Sequence, residues 1–180
     1  MRIRLARPED LSAVGEITVA AYAEFTLGPS DPYIARLRDA AARAEQAELW
    51  LAEDEGEDGS KHGCKNGCRN GGAVLGTVTV CPPDSVWREI SLPGEGEFRM
   101  LAVAPQARGR GVGEALARFA IDRLAEQGAH AVVLSSLSSM HAAHRIYDRL
   151  GFRRDAGRDW SPTPGVELQA YVLPEPAQEA

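Results

Sequence analysis

The stretch Arg108-Gly109-Arg110-Gly111-Val112-Gly113 constrains this chain more than any other. It lies between FRMLAV at 98 to 103, which reads as a strand that Pro105 limits, and a helix pattern from about 111 to 127. Val112, Leu116, Phe119, Ala120 and Leu124 share one side of that helix, and Gly128 is placed to end it. A strand, a glycine turn and a helix in this order aim successive backbone amides and the helix dipole at one anion. Gly109, Gly111 and Gly113 keep side chains out of the way of a bulky pyrophosphate, and Arg108 or Arg110 adds a charge-assisted contact. A surface turn kept in solution by arginines is the bland alternative. Neither the dinucleotide pattern after a first strand nor the P-loop lysine is present.

Flanking segments build a fold around this unit. Residues 2 to 6 read as a strand, and Pro8, Glu9 and Asp10 open a helix with Leu11, Val14, Ile17 and Ala21 on its apolar face. Asp31-Pro32 repeats the start signal for one helix running to about 46, with Tyr33, Leu37, Ala41 and Ala44 on one face. Apolar runs at 47 to 52 and 73 to 81 are strands, and so are AVVLSSL at 131 to 137 and residues 166 to 173. The helix between the strands at 98 to 103 and 131 to 137 predicts a right-handed crossover and parallel pairing. MHAAHRIYDRLGF adds a helix with Ala143, Ile146, Tyr147 and Leu150 on one face, ended by Gly151. The expectation is an α/β fold, a single domain over 1 to 176, with a mixed sheet and helices on both faces.

Between the second and third strands lies EDEGEDGSKHGCKNGCRNGG, whose glycines and charges predict a flexible insertion over 54 to 72. His62, Cys64 and Cys68 fall here, but CKNGC lacks a second well-spaced pair, so no metal site is expected. Three cysteines without a framework fit a reducing compartment, and MRIRLARPED lacks the apolar core of a signal peptide, so a cytoplasmic location is expected. No apolar run is long enough to cross a bilayer. A formal charge of −6 argues against broad contact with nucleic acid, although a local basic patch of Arg99, Arg108 and Arg110 suits a phosphorylated cofactor. Homodimerisation is left open.

Taken together, RGRGVG, the preceding EFRMLAVAP and the later HAAHRIYDRLGF resemble the GCN5-related N-acetyltransferase (GNAT) family over nearly the whole chain. The resemblance implies a V-shaped opening between two splayed parallel strands, 98 to 103 and 131 to 137, entered by coenzyme A from one side and an amine from the other. It implies that acetyl-CoA is the co-substrate, with its pyrophosphate on Arg108 to Gly113 and its pantetheine arm along the backbone of Leu101, Ala102 and Val103. It further implies direct attack by a small-molecule or peptide amine, with Tyr147 serving the leaving sulfur and Glu97 accepting a proton through water. On the residues alone, Tyr147 could equally fill a core, Glu97 could be a solvated strand end, and Glu95 is a weaker candidate base. The family often carries an asparagine where this chain has Ser139 and Met140. His141 and His144, three apart, read as helical surface residues, and Trp87 and Trp160 as packing groups that could border an acceptor pocket. A different class, an acyl-coenzyme A sensor without turnover, shares the glycine turn and differs only in what Tyr147 and Glu97 do.

Overall fold

A computed structural model describes residues 1–55 and 72–174. The expected insertion falls almost wholly outside these residues, and with it His62, Cys64 and Cys68. Eight strands and five α-helices lie along the described residues. Strand β1 (Arg2–Leu5) is followed by a 3-10 turn at Pro8–Asp10, helix α1 (Leu11–Tyr22), α2 (Tyr33–Arg38) and α3 (Ala40–Gln46). Then come β2 (Glu48–Glu53), β3 (Val74–Cys81), β4 (Glu95–Val103), α4 (Val112–Glu126) and β5 (Ala131–Leu137). Helix α5 (His141–Arg149), the two-residue β6 (Arg153–Arg154), β7 (Trp160–Thr163) and β8 (Val166–Pro174) complete the fold.

The strands form one sheet in the order β1-β2-β3-β4-β5-β8-β6, with β7 on β8. Only β4 and β5 run parallel, as the intervening helix predicts; every other pair is antiparallel. Register separates the faces. Val78, Val80 and Phe98 pack with Leu116, Ala117, Ala120 and Leu124 of α4, and Tyr147 of α5 joins the same cluster. On the opposite face Leu49 and Leu51 of β2 pack against Val14 and Ala40. Thr79 pairs with both Leu49 and Arg99, and Cys81 pairs with Glu97, so Glu97 and Arg99 point to the α1–α3 face too.

Two expectations need correction. The single helix over 31 to 46 is two helices, because Asp39 leaves helical geometry (φ −74°, ψ 74°) and its carboxylate accepts from the Ala42 amide as the cap of α3. Arg43, fully buried, holds the corner: its guanidinium donates to the carbonyls of Leu37 and Asp39 and to the Thr18 hydroxyl. Strands β6 and β7 were not expected, since a two-residue strand and one containing Pro162 carry no periodic signal. In α1, Gly15 rather than a larger residue meets α2: a Cβ there would stand 2.4 Å from the Arg38 carbonyl oxygen.

Candidate functional site

Strands β4 and β5 pair only where Glu95, Gly96 and Glu97 meet Ala131, Val132 and Val133. Beyond that they separate, β4 staying with β3 as far as Val103 and β5 staying with β8 as far as Leu137. The parting is built into β4. Its register against β3 slips between Thr77 and Thr79, and Met100 adopts φ 49°, the one positive φ at a non-glycine among the described residues. That extra residue is a bulge, which bends the strand away from its parallel neighbour.

The opening leads into a cavity of about 660 Å³ lined by the end of α1, the glycine turn, β4 and the start of α5. Gly109 and Gly111 hold φ 76° and 79°, where an L side chain is strained, and Gly111 caps α4. A Cβ at Gly109 or Gly111 would meet nothing within 4 Å, so the space beside the turn is free for a ligand. At Gly113 a Cβ would crowd Ile146 and Val103 at 3.2 and 3.3 Å; here the small residue lets α4 approach β4 and α5. Arg108, Gly109, Gly111, Val112 and Gly113 line the cavity, together with Leu101 and Val103. Arg110 does not, and its guanidinium lies 3.2 Å from Asp54; Ala102 is buried to 1% exposure and turned from the cavity.

The expected basic cluster of three arginines is not present. Arg108 and Arg110 flank the turn, but Arg99 lies on the α1–α3 face, 2.6 Å from Glu89 and with its guanidinium over the Trp87 ring. Bulge and register carry it there, because residue 99 points opposite to the α4 side of the strand. Trp87 lines a separate groove of about 490 Å³ with Arg36, Arg88 and Arg99.

Tyr147 is 5% exposed and packed among Phe98, Phe152 and Tyr171, with ring centroids 5.8 to 6.2 Å away. Its hydroxyl makes no hydrogen bond among the described residues, and burial pushes the phenol above its ordinary range. A buried phenol of that kind keeps its proton at neutral pH and has it free to donate. Ala143 and Ile146, its neighbours on α5, line the cavity.

Glu97 is not a solvated strand end: it is fully buried. Its Oε2 accepts from the backbone amides of Glu89, Ile90 and Ser91 at 2.9 to 3.2 Å, while Oε1 has no hydrogen-bond partner and lies 3.7 Å from Arg99 Nε. Burial raises its pKa against the opposing pull of the three amides and Arg99. Glu95 is committed to Arg158, 2.6 Å away, and that pairing holds its carboxyl low despite burial.

Several lining residues escaped the sequence reading. Tyr22 and Phe25, at and after the end of α1, wall the cavity, and the Tyr22 hydroxyl donates to the Leu101 carbonyl at 3.4 Å. An aromatic at a helix end carries no signal for such a role. Ser139, Met140 and His141 also line it, whereas His144 is partly buried, its Nε2 3.2 Å from Ser136 Oγ and its ring 5.2 Å from Tyr171. Burial, before any neighbouring charge, lowers the His144 pKa.

Among known families, the model of the acetyltransferase (GNAT) family matches residues 18–152. Curated relatives include the mycothiol acetyltransferase of Mycobacteroides abscessus, 42% identical over 65 residues, 36% of this chain and 22% of that protein. The N-acetylaspartate synthetase of Homo sapiens is 33% identical over 72 residues, covering 40% of this chain and 24% of that protein. Each match therefore spans about a quarter of the relative's length or less. Of solved structures, the Salmonella typhimurium protein yncA, determined with its cofactor acetyl-CoA, superposes with TM-score 0.66 at 22% identity over 100% of this chain and 96% of that one. An acetyltransferase of the GNAT family from Staphylococcus aureus Mu50 gives 0.69 at 15% identity over 96% and 98%.

Proposed function

The chain belongs to the acetyltransferase (GNAT) family, and from that premise we propose that it moves an acetyl group from acetyl-CoA to the amine of a small molecule or peptide by direct attack. The observation that carries the reading is the strand pair that parts beside the glycine turn, with Ala143 and Ile146, the α5 neighbours of Tyr147, lining the cavity it opens. In this reading the pyrophosphate lies on the amides of 108 to 113, and the pantetheine arm runs along Val103 to Leu101. Of the basic pair, Arg108 supplies the charge, since it lines the cavity and its partner Glu24 is 3.6 Å away and exposed.

The neutral amine attacks the thioester carbonyl, forming the C–N bond; the tetrahedral species then expels the thiolate by breaking the C–S bond. The Tyr147 hydroxyl, kept protonated by burial, donates a hydrogen bond to that thiolate, which takes its proton from solvent. Glu97 is fully buried and does not line the cavity, so the amine's proton leaves to water there rather than directly to that carboxylate. Placing donor and acceptor in one cleft accounts for much of the acceleration expected of such a site. Relatives named for mycothiol and for N-acetylaspartate support a small acceptor over a peptide.

Calorimetric titration with CoA, followed by a thiol-release assay with acetyl-CoA and a broad amine panel, tests the proposal. Binding together with amine-dependent thiol release is the expected result. Binding with no release by any amine makes the chain an acyl-CoA sensor. The Gly111→Trp variant, which places a bulky side chain in the amide cradle, should lose at least about tenfold in CoA affinity, near 1.4 kcal/mol. Undiminished affinity in the folded variant removes the pyrophosphate assignment.

A further inference from the structure

In the acyl-CoA reading the cavity runs from a shallow end at the glycine turn to a deep end at Tyr22, both of which line it. From the turn β4 leads inward through Val103 to Leu101, and at Leu101 the ring of Tyr22 forms the wall. That ring is fixed at both ends. Its backbone ends helix α1, and its hydroxyl donates to the Leu101 carbonyl, next to the bulge at Met100. Burial raises the Tyr22 phenol far above its usual range, and the Tyr33 and Tyr147 phenols add to the effect.

We propose that Tyr22 sets the acyl-chain length this site accepts, restricting the donor to an acetyl group. The inference rests on the cavity being the acyl-CoA site. With the pyrophosphate at the turn and the sulfur within reach of Tyr147, the acyl group projects past the sulfur into the deep end, which Tyr22 closes. Two further methylenes, as in a butyryl group, meet a ring that can move only by giving up its bond to Leu101 and leaving that carbonyl unpaired. Phe25 stands in the same wall and limits sideways escape. One methylene more or less in an apolar pocket typically changes discrimination by about 10- to 200-fold.

The test needs no acceptor amine. Affinities for CoA, acetyl-CoA and butyryl-CoA are measured by calorimetry on wild type, Tyr22→Phe, Tyr22→Leu and Tyr22→Ala, each checked for a cooperative melt. Wild type should bind butyryl-CoA at least roughly tenfold more weakly than acetyl-CoA. Tyr22→Ala and Tyr22→Leu should reduce that ratio by roughly tenfold, and Tyr22→Phe, which keeps the ring, should retain most of it. Tyr22→Leu keeps an apolar side chain at the helix end in case the alanine variant does not fold. Equal binding of the two thioesters by wild type overturns the proposal, and so does an unchanged ratio in a folded leucine or alanine variant. Failure of wild type to bind CoA itself is a separate outcome, which overturns the cofactor reading beneath it.

Discussion

The two sides of strand β4 are built by opposite means. On the side of the glycine turn, the site is made of backbone: consecutive residues, positive φ at Gly109 and Gly111, and arginines that are half exposed. On the α1–α3 face it is made of side chains from distant segments, with Glu97 fully buried against the amides of 89 to 91 and Arg99 against Glu89. The first kind of site is inexpensive to maintain and easy to alter. The second is tied into the stability of the fold, so changes there are felt before any substrate arrives.

Four outcomes would sharpen or break that contrast, beginning with the largest. Tyr147 lies on the α4 side of the sheet, beside residues that line the cavity, and Tyr147→Phe should lower single-turnover acetyl transfer by roughly 10²- to 10⁴-fold. Its hydroxyl has no hydrogen-bond partner among the described residues, so the melting temperature should hardly change. A normal rate with a lowered melting temperature would make the tyrosine a packing group.

Glu97→Ala should cost about 3 kcal/mol, because three amides lose their acceptor together. In a chain of 180 residues that lowers the melting temperature by roughly 6 to 12 °C, with CoA affinity preserved. A variant as stable as wild type would show that the turn at 89 to 91 does not depend on the carboxylate.

A smaller effect is one of pH. The pKa of Glu97 is raised by burial, so the folded state binds its proton more readily than the unfolded chain does. Its contribution is present below the window that starts near the unfolded value of 4.5 and falls as pH rises through it. The stability cost of Glu97→Gln, followed by denaturant titration across that window, should therefore shrink as pH rises. Glu95 has the opposite sign: its pKa is lowered, so its pairing with Arg158 stabilises the fold above the unfolded value and is lost on acidification. If the cost of Glu97→Gln grew with pH, the three amides and Arg99 would outweigh burial.

The least disruptive change is Arg108→Ala. Its pair with Glu24 is 3.6 Å apart with both side chains more than half exposed, so stability should shift by no more than about 0.5 kcal/mol. CoA affinity should still fall several-fold, and more at low salt than at high salt. A large loss of stability would mean that the turn is not the inexpensive side after all.

The same contrast explains what could be read from the sequence. RGRGVG is contiguous, and its glycines and flanking elements lie in a single stretch of chain, so both the turn and the parallel β4–β5 pair were visible. Glu97 was visible as a position, but not as the anchor of a turn six to eight residues earlier, because no local rule connects a strand carboxylate to those amides. Arg99 was grouped with Arg108 and Arg110 by nearness in sequence, and strand alternation sent it to the other face. The break at Asp39 was hidden by an unbroken apolar spacing, which does not register a cap inside a helical pattern. Tyr22 and Phe25 depend on how α1 lies across the sheet, which is a matter of packing between elements.

That crossing is governed from a distance by the absence of a side chain. Gly15 lies seven residues before Tyr22, about two helical turns or 10 Å along the same side of α1. A methyl group at position 15 would stand 2.4 Å from the Arg38 carbonyl oxygen, so the helix would have to retreat from α2. The helix then acts as a lever with its fulcrum at Gly15 and its working tip at Tyr22, and a retreat at one is carried to the other. Gly15→Ala should loosen the grip of Tyr22 on Leu101 and widen the deep end without altering a single residue that lines it.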